Sequence, residues 1–408
     1  MENSNEKFLV MTDNLFTFNS YACHSVIDVI NIRPGEVNRT LKMQGLSDEP
    51  IRFAFAPDKG LVRLSNNGAI NSERILTQLI SLPENNTEKI LDFFKEYGFL
   101  FPLNTDNYEA IDINILFEII NRVKAVVYLM SEVESSKKDY KKILQWVLFL
   151  QLTPPSEFSL QCFKAPYITC IHPLYEIIEN TSSILEIDGT REAYNSDFYS
   201  IADTVYKPIY QLNIEFYKDT ISGYNTQTPG ATHSQLYKNI TRLYRNANNL
   251  LDNQRLMIDF IFHYQTRVGI IKTISAEQGI KYYDTDENIR KNYNLYFDDK
   301  LKNALLEIAK ITIAEELNYN LQGVYPHYDI ENMTPSWGIS DLLSGIYFSI
   351  FYMKPGLELY RKCANPNCDR WFLVKTTASN RKYCPGGFCA NSVAQRNHRK
   401  RQKEKSRM

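Results

Sequence analysis

The 408-residue chain has no hydrophobic run long enough to cross a membrane. Its longest apolar stretches, Ile143–Leu152 and Ile346–Met353, fall far short of the ~20 residues a spanning helix requires. The N-terminal Met-Glu-Asn-Ser-Asn-Glu-Lys lacks both the basic and the apolar segment of a secretion signal. Several catalytic signatures are also missing. No Walker-type phosphate loop, dinucleotide-binding glycine motif, nucleophile elbow or zinc-protease helix motif occurs. The body is therefore expected not to be an enzyme. Cysteine is scarce and odd in number, seven in all, and four of the seven lie within residues 363–389. That crowding suits a metal site in a reducing compartment better than a disulfide framework, so the expected location is the cytoplasm.

Charge is nearly balanced overall, with 46 Lys+Arg against 47 Asp+Glu, but it is unevenly placed. Residues 361–408 hold thirteen basic and two acidic side chains, a net of +11, and the remainder of the chain carries −12. An acidic body with a basic end is the asymmetry of a protein whose end meets polyanions. With 44% hydrophobic and 23% charged residues the composition is globular, and a collagenous or wholly disordered chain is excluded.

The patterning predicts a mainly α fold: a helical body over 1–355 with a small β element near 49–66, and a four-cysteine module over 356–408. Ile51, Phe53 and Phe55 alternate with Arg52 and Ala54, Pro57–Gly60 forms a turn, and Leu61–Leu64 returns as a hairpin. Asn85 and Glu88 resemble a capping box before an apolar face of Ile90, Leu91, Phe93, Phe94 and Tyr97, ended by Gly98. Further helices are expected at about 112–131, 136–151, 234–268, 299–320 and 340–353, the last capped by Ser340. Residues 152–230, rich in Pro, Tyr, Ser and Thr, suit an irregular insertion or a boundary between subdomains. From Leu236 to Ile261 apolar residues follow a 4-3-4-3 spacing. It fits either a coiled coil that makes a homodimer or a helix buried in its own domain. Tyr237, Tyr244, Leu251, Ile258, Phe260 and Phe262 lie off that seam, which favours the buried helix.

Cys363, Cys368, Cys384 and Cys389 read C-x4-C-x15-C-x4-C. Two matched pairs separated by a hairpin-length segment can converge on one tetrahedral Zn2+, and four thiolates leave no coordination position open for substrate. The bland alternative is four buried thiols without a ligand. Arg370–Val374 is strand-like, Thr376–Asn380 turn-like, and Arg381–Tyr383 returns to Cys384, after which a helix opens through Ala390–Gln395. Knuckle, hairpin and helix is the treble-clef order. His398 lies nine residues beyond Cys389, roughly 13 Å along a helix, too far to be a ligand. Beyond Cys389, Arg396, Arg399 and Lys403 fall on one helical face with Lys400 and Arg407 adjacent, and Arg396, Arg399, Lys400, Arg401 and Lys403 are the candidates for contacting successive phosphates. The bland reading of this run is a solvated basic tail. Cys23 with His24, and Cys170 with His172, are close in sequence, which is no sign of a catalytic dyad.

Residues 357–402 resemble the CGNR zinc-finger family, through the cysteine spacing, the aromatic-aliphatic Trp371-Phe372-Leu373 and the Arg-bearing helix after Cys389. The name-giving motif is altered here to Cys389-Ala390-Asn391-Ser392. The resemblance implies a structural Zn2+ and a transcriptional or stress regulator, often with a helical region, called ABATE, ahead of the finger. The expected partner is nucleic acid, DNA rather than RNA, with no membrane. Two rivals remain: a protein-assembly module built on the finger, and a stress or phage-defence effector whose finger recognises nucleic acid.

Overall fold

The computed structural model describes residues 15–16, 20–33, 36–56, 60–64, 74–83, 86–180, 229–231, 233–246, 250–330, 333–353, 358–375 and 381–405. Eleven helices and several small antiparallel sheets occur among them, in keeping with a mainly α chain. No helix among the described residues is long and apolar enough to cross a membrane. The chain divides into two compact units. The first comprises Met1–Ser135, Ser156–Thr169 and Glu316–Met408; the second, Ser136–Pro155 and Cys170–Glu315.

In the first unit β1 (Leu15–Phe16), β4 (Arg52–Ala56) and β5 (Gly60–Leu64) form one sheet. The β4–β5 pair is the expected hairpin, with Phe55 opposite Leu61. Ala54 and Val62 are as buried as Phe53, so both faces of this hairpin are covered. A second sheet is larger than the sequence suggests. Strands β2 (Tyr21–Arg33) and β3 (Glu36–Pro50) form a long ribbon, extended by β6 (Glu109–Asp112). The ribbon has a register shift between Tyr21 and Cys23 and leaves Val26 and Val29 exposed. Among its described side chains, in-out alternation is confined to a short stretch of β3, where Leu41 and Met43 are buried on either side of the exposed Lys42.

Helix α1 (Ile75–Ile80) leads to α2 (Thr87–Tyr97), whose buried face is Ile90, Phe93, Phe94 and Tyr97. Its N-cap is Asn86, which accepts from the Lys89 N–H; Asn85 lies outside the described residues. Gly98 closes it at φ 77°, and a Cβ there would come within 2.8 Å of the Tyr21 carbonyl, so only glycine fits. Asp112 caps α3 (Ile113–Val133) through the Asn114 N–H, and Leu116, Ile120, Val123 and Val127 are buried along it. Short strands β7 (Glu157–Phe158) and β8 (Tyr167–Ile168) pair beneath an aromatic cluster of Phe101, Phe158, Phe163 and Tyr167.

The second unit is helical: α4 (Tyr140–Leu152), α5 (Pro173–Glu179), α6 (Gln235–Asn246), α7 (Asp252–Arg267), α8 (Asp286–Tyr296) and most of α9 (Asp299–Asn320), with hairpin β9 (Ile271–Ser275)–β10 (Gly279–Tyr282). The single helix expected over 234–268 is in fact two. Leu251 adopts extended angles ahead of α7, and the two segments fold back on each other, with Tyr244 stacked on Phe262 at 3.9 Å. Seam residues Ile240, Leu243, Met257 and Ile261 are buried in this core together with the off-seam Tyr237, Ile258 and Phe260. A continuous coiled coil over 236–261 is thereby replaced by a helical hairpin. Of the Pro/Tyr-rich insertion, residues 181–228 lie outside the described residues.

After α9 the chain returns to the first unit through an antiparallel pair, β11 (Val324–Asp329) and β12 (Thr334–Ile339), and then α10 (Leu342–Phe351). Asp341, not Ser340, caps α10, because its carboxylate reaches the Ser344 N–H at 2.7 Å.

Candidate metal centre

Two further strands carry the cysteines. In β13 (Glu358–Lys362) Leu359 and Tyr360 are buried, as are Trp371, Phe372 and Val374 in β14 (Trp371–Lys375). The two pair antiparallel, Lys362 opposite Trp371, so the chain between them must reverse tightly. That reversal holds the first cysteine pair. The Cys363 N–H donates to the Arg370 carbonyl at 2.9 Å, and the Cys368 N–H to the Asn365 carbonyl at 2.9 Å. The partner of β14 is thus 358–362, whereas Arg381–Tyr383 forms no strand; it is tied in by the Ala364 N–H bond to the Lys382 carbonyl. The Thr376–Asn380 turn lies outside the described residues.

The second pair opens helix α11 (Phe388–Lys405), with Cys384 just ahead of it and Cys389 in its first turn. The four Sγ atoms lie within 4.8 Å of one another. Cys384 is 3.6 Å from Cys389 and 4.0 Å from Cys368. A tetrahedron with Zn–S bonds of about 2.3 Å has edges of about 3.8 Å, so this donor set is compatible with zinc. Phe372 and Val374 pack against Cys363 and Cys384, with Tyr383 beside them, and shield one side of the cluster. The thiols are electrostatically uneven. Burial pushes Cys384 up to about 12 and raises Cys368, while a hydrogen bond from Asn365, supported by Cys384, lowers Cys389 to about 7. A cation binding here would displace the protons of all four.

Residues 360–402 match the CGNR zinc finger. No curated protein and no solved structure matches the chain.

In this segment, similar to the CGNR zinc finger, α11 continues beyond the cysteines into solvent. Arg396, Arg399 and Lys400 are exposed along it, as is His398, remote from the sulfur cluster. Arg401 and Lys403 belong to the same helix, and their side chains lie outside the described residues. The hairpin side of the finger is by contrast covered. The Tyr360 N–H donates to Ser131 Oγ at 3.0 Å, the Trp371 N–H donates to Ser81 Oγ at 2.9 Å, and the Trp371 ring meets Tyr128 edge-on.

Two of the other cysteines, Cys23 and Cys170, are buried, and Cys162 is exposed. Cys23 points into the core, its Sγ donating to the Phe94 carbonyl and its thiol pushed up to about 12 by burial. His24, next along the strand, is on the opposite side, with Nδ1 2.7 Å from the Tyr108 hydroxyl. Cys170 is buried; His172 is buried and holds the Glu315 carboxylate at 2.7 Å.

One polar constellation in the first unit has little signal in the sequence. Arg122 is buried, with Nε 2.9 Å from Glu118 and Nη1 2.7 Å from Glu316. Glu316 also accepts from Asn320 and Tyr347, and the Tyr167 hydroxyl donates to Asn320. Burial opposes the guanidinium charge, but Glu316 and Glu118 more than offset it and hold Arg122 protonated. The i, i+4 spacing of Glu118 and Arg122 was the one local hint; Glu316 is 194 residues away.

Proposed function

We propose that the chain is a zinc-finger nucleic-acid-binding regulator of the bacterial transcriptional or stress-response type, acting in the cytoplasm. Cys363, Cys368, Cys384 and Cys389 hold one Zn2+ in a treble-clef-like finger over 356–408, carried by the body of residues 1–355. With four thiolates as ligands the metal is structural and supplies rigidity, not turnover. The observation that carries this reading is the exposed basic helix growing directly out of the cysteine cluster. Its start is fixed by Cys389, and Arg396, Arg399 and Lys400 are exposed along it; these three, with Arg401 and Lys403 further along the same helix, bind phosphates of DNA.

The test is binding to one duplex at several salt concentrations. Each phosphate neutralised contributes about 0.9 to the salt slope, so three to five contacts give roughly −3 to −4.5. R396A/R399A shallows the slope by about 2 and leaves zinc content unchanged. A second reading, a finger used for assembly, draws support from the hairpin face packed on the first unit through Tyr360 and Trp371. Absence of binding at every salt concentration would transfer the case to it.

A further inference from the structure

Phe388 is the most exposed large hydrophobic side chain among the described residues, at 86%. Phenylalanine is ordinarily among the most buried residue types, whereas this ring lies almost wholly in water; a lone exposed ring is common, and what distinguishes this one is the geometry around it. Its position is set by the backbone on both sides. Ahead of it, Gly386 and Gly387 both adopt left-handed angles, φ 102° and 77°, which only glycine takes without strain. A Cβ at Gly387 would meet nothing within 4 Å, and one at Gly386 would meet the Phe388 ring at 3.7 Å. Behind it, Cys389 turns inward to the sulfur cluster. Phe388 is thereby the first residue of α11, its ring held outward beside the metal centre.

The ring is also aligned with charge. At 100° per residue, Ser392, Gln395 and Arg399 fall within about 40° of Phe388 around the helix, and Arg396 lies about 80° from it. Ser392, Gln395, Arg396 and Arg399 are all exposed. From Phe388 to Arg399 the rise is about 16 Å. A flat apolar ring thus heads a polar face that ends in guanidinium groups. A membrane surface would need several apolar side chains on this helix, and its neighbours on the face are polar. A strand that alternates flat apolar faces with anionic linkers matches both features.

We infer that Phe388 is a stacking platform for an unpaired nucleobase, with Arg396 and Arg399 holding phosphates of the same strand. This rests on the nucleic-acid reading of the finger and adds its substrate class: single-stranded or locally opened nucleic acid. A paired base in a duplex interior has both faces covered by its neighbours and offers nothing to the ring, so duplex binding is left to the cations alone.

The experiment compares the full-length protein with F388A, F388W, F388L and R399A on short oligo-dT, oligo-rU and a duplex, across a salt series. F388A is expected to weaken single-strand binding about 5- to 100-fold at every salt concentration, with an unchanged slope, because the ring displaces no counterions. F388W restores the affinity; F388L, apolar but without a π face, does not. R399A shallows the single-strand slope by about 0.7. On the duplex, F388A binds as the wild type does. Zinc content, read by elemental analysis, stays the same in every variant because the side chain lies outside the packed core. Tighter binding to dT or to rU names DNA or RNA as the source of the base. If F388A or F388L equals the wild type on single strands, the stacking site is overturned and the electrostatic reading survives. If the wild type binds none of the three probes, both fall.

Discussion

The Ser81 hydroxyl links Trp371 of the finger to the end of helix α1: it accepts the Trp371 N–H at 2.9 Å and donates to the Thr77 carbonyl at 2.7 Å. Ser131 does the same for the other strand, accepting from the Tyr360 N–H and donating to the Val127 carbonyl. Each hydroxyl joins a strand of the finger hairpin to a helix carbonyl of the first unit, so the finger is fastened by its backbone as well as by buried rings.

Replacing Ser81 or Ser131 with alanine leaves a backbone N–H without its acceptor. Each substitution should destabilise the first unit by about 1–3 kcal/mol. Amide exchange at Trp371 for S81A, and at Tyr360 for S131A, should accelerate relative to the rest of the hairpin. Unchanged exchange at both sites would show that water replaces the serines at no cost.

The purified protein should contain one zinc per chain, and C363S or C384S should lose it. A structural zinc contributes ~10–16 kcal/mol of binding free energy, so chelation should open the knuckle and the start of α11 to protease. Strands β13 and β14 should keep their protection, since Tyr360 and Trp371 remain anchored to Ser131 and Ser81. Cleavage confined to 363–370 and 376–405 fits this; a metal-free knuckle as resistant as the loaded one does not.

R122A removes the guanidinium that bridges Glu118 and Glu316. Breaking a buried pair leaves carboxylate charge uncompensated and should destabilise the first unit by about 3–5 kcal/mol, read as a shift in urea midpoint. E118Q/E316Q/R122M, which removes all three charges, should recover part of the loss. A urea midpoint for R122A equal to that of the wild type would mean the network is solvated.

Asp259 is fully buried on α7, and burial raises its carboxyl to about 7 against the opposing pull of Arg255. Because the folded-state value lies above the unfolded one, its contribution is intact below about pH 4 and is lost as pH rises through 7. His263, one turn along, is held well below its ordinary value by burial and acts in the opposite direction below about 6.5. The clean measurement is therefore a difference. The thermal midpoint of D259N minus that of wild type should increase from pH 4 to 7 and then level off; a constant difference would place the charge of Asp259 in contact with water.

The β4–β5 hairpin, α2, α3 and α4 were legible to within a few residues, because each carries its own period, cap or turn. One error fell where two residues compete for one role. Ser340 and Asp341 are both good caps, and only the approach of the Asp341 carboxylate to the Ser344 N–H decides between them. The β2–β3 ribbon was missed because its alternation is short, limited to the buried Leu41 and Met43 around the exposed Lys42, while Val26 and Val29 are exposed and blur the pattern. The break between α6 and α7 was missed because the apolar spacing runs on through it. Spacing shows which side chains want to be buried; it does not show whether they are buried by one helix or by two lying side by side.

By itself the sequence determined the four thiols, their two matched pairs, the basic run that follows and the mainly helical body. Those features depend on residues near in the chain, whose geometry follows from bond lengths, turn chemistry and helix rise. Tertiary structure alone decided that Glu316 meets Arg122, that Ser81 and Ser131 receive the finger strands, and that one face of the finger is covered while Phe388 and Arg399 stay in water. Each of these joins or separates groups far apart in sequence. Such pairings are selected by the packing of whole elements, and no local pattern records them.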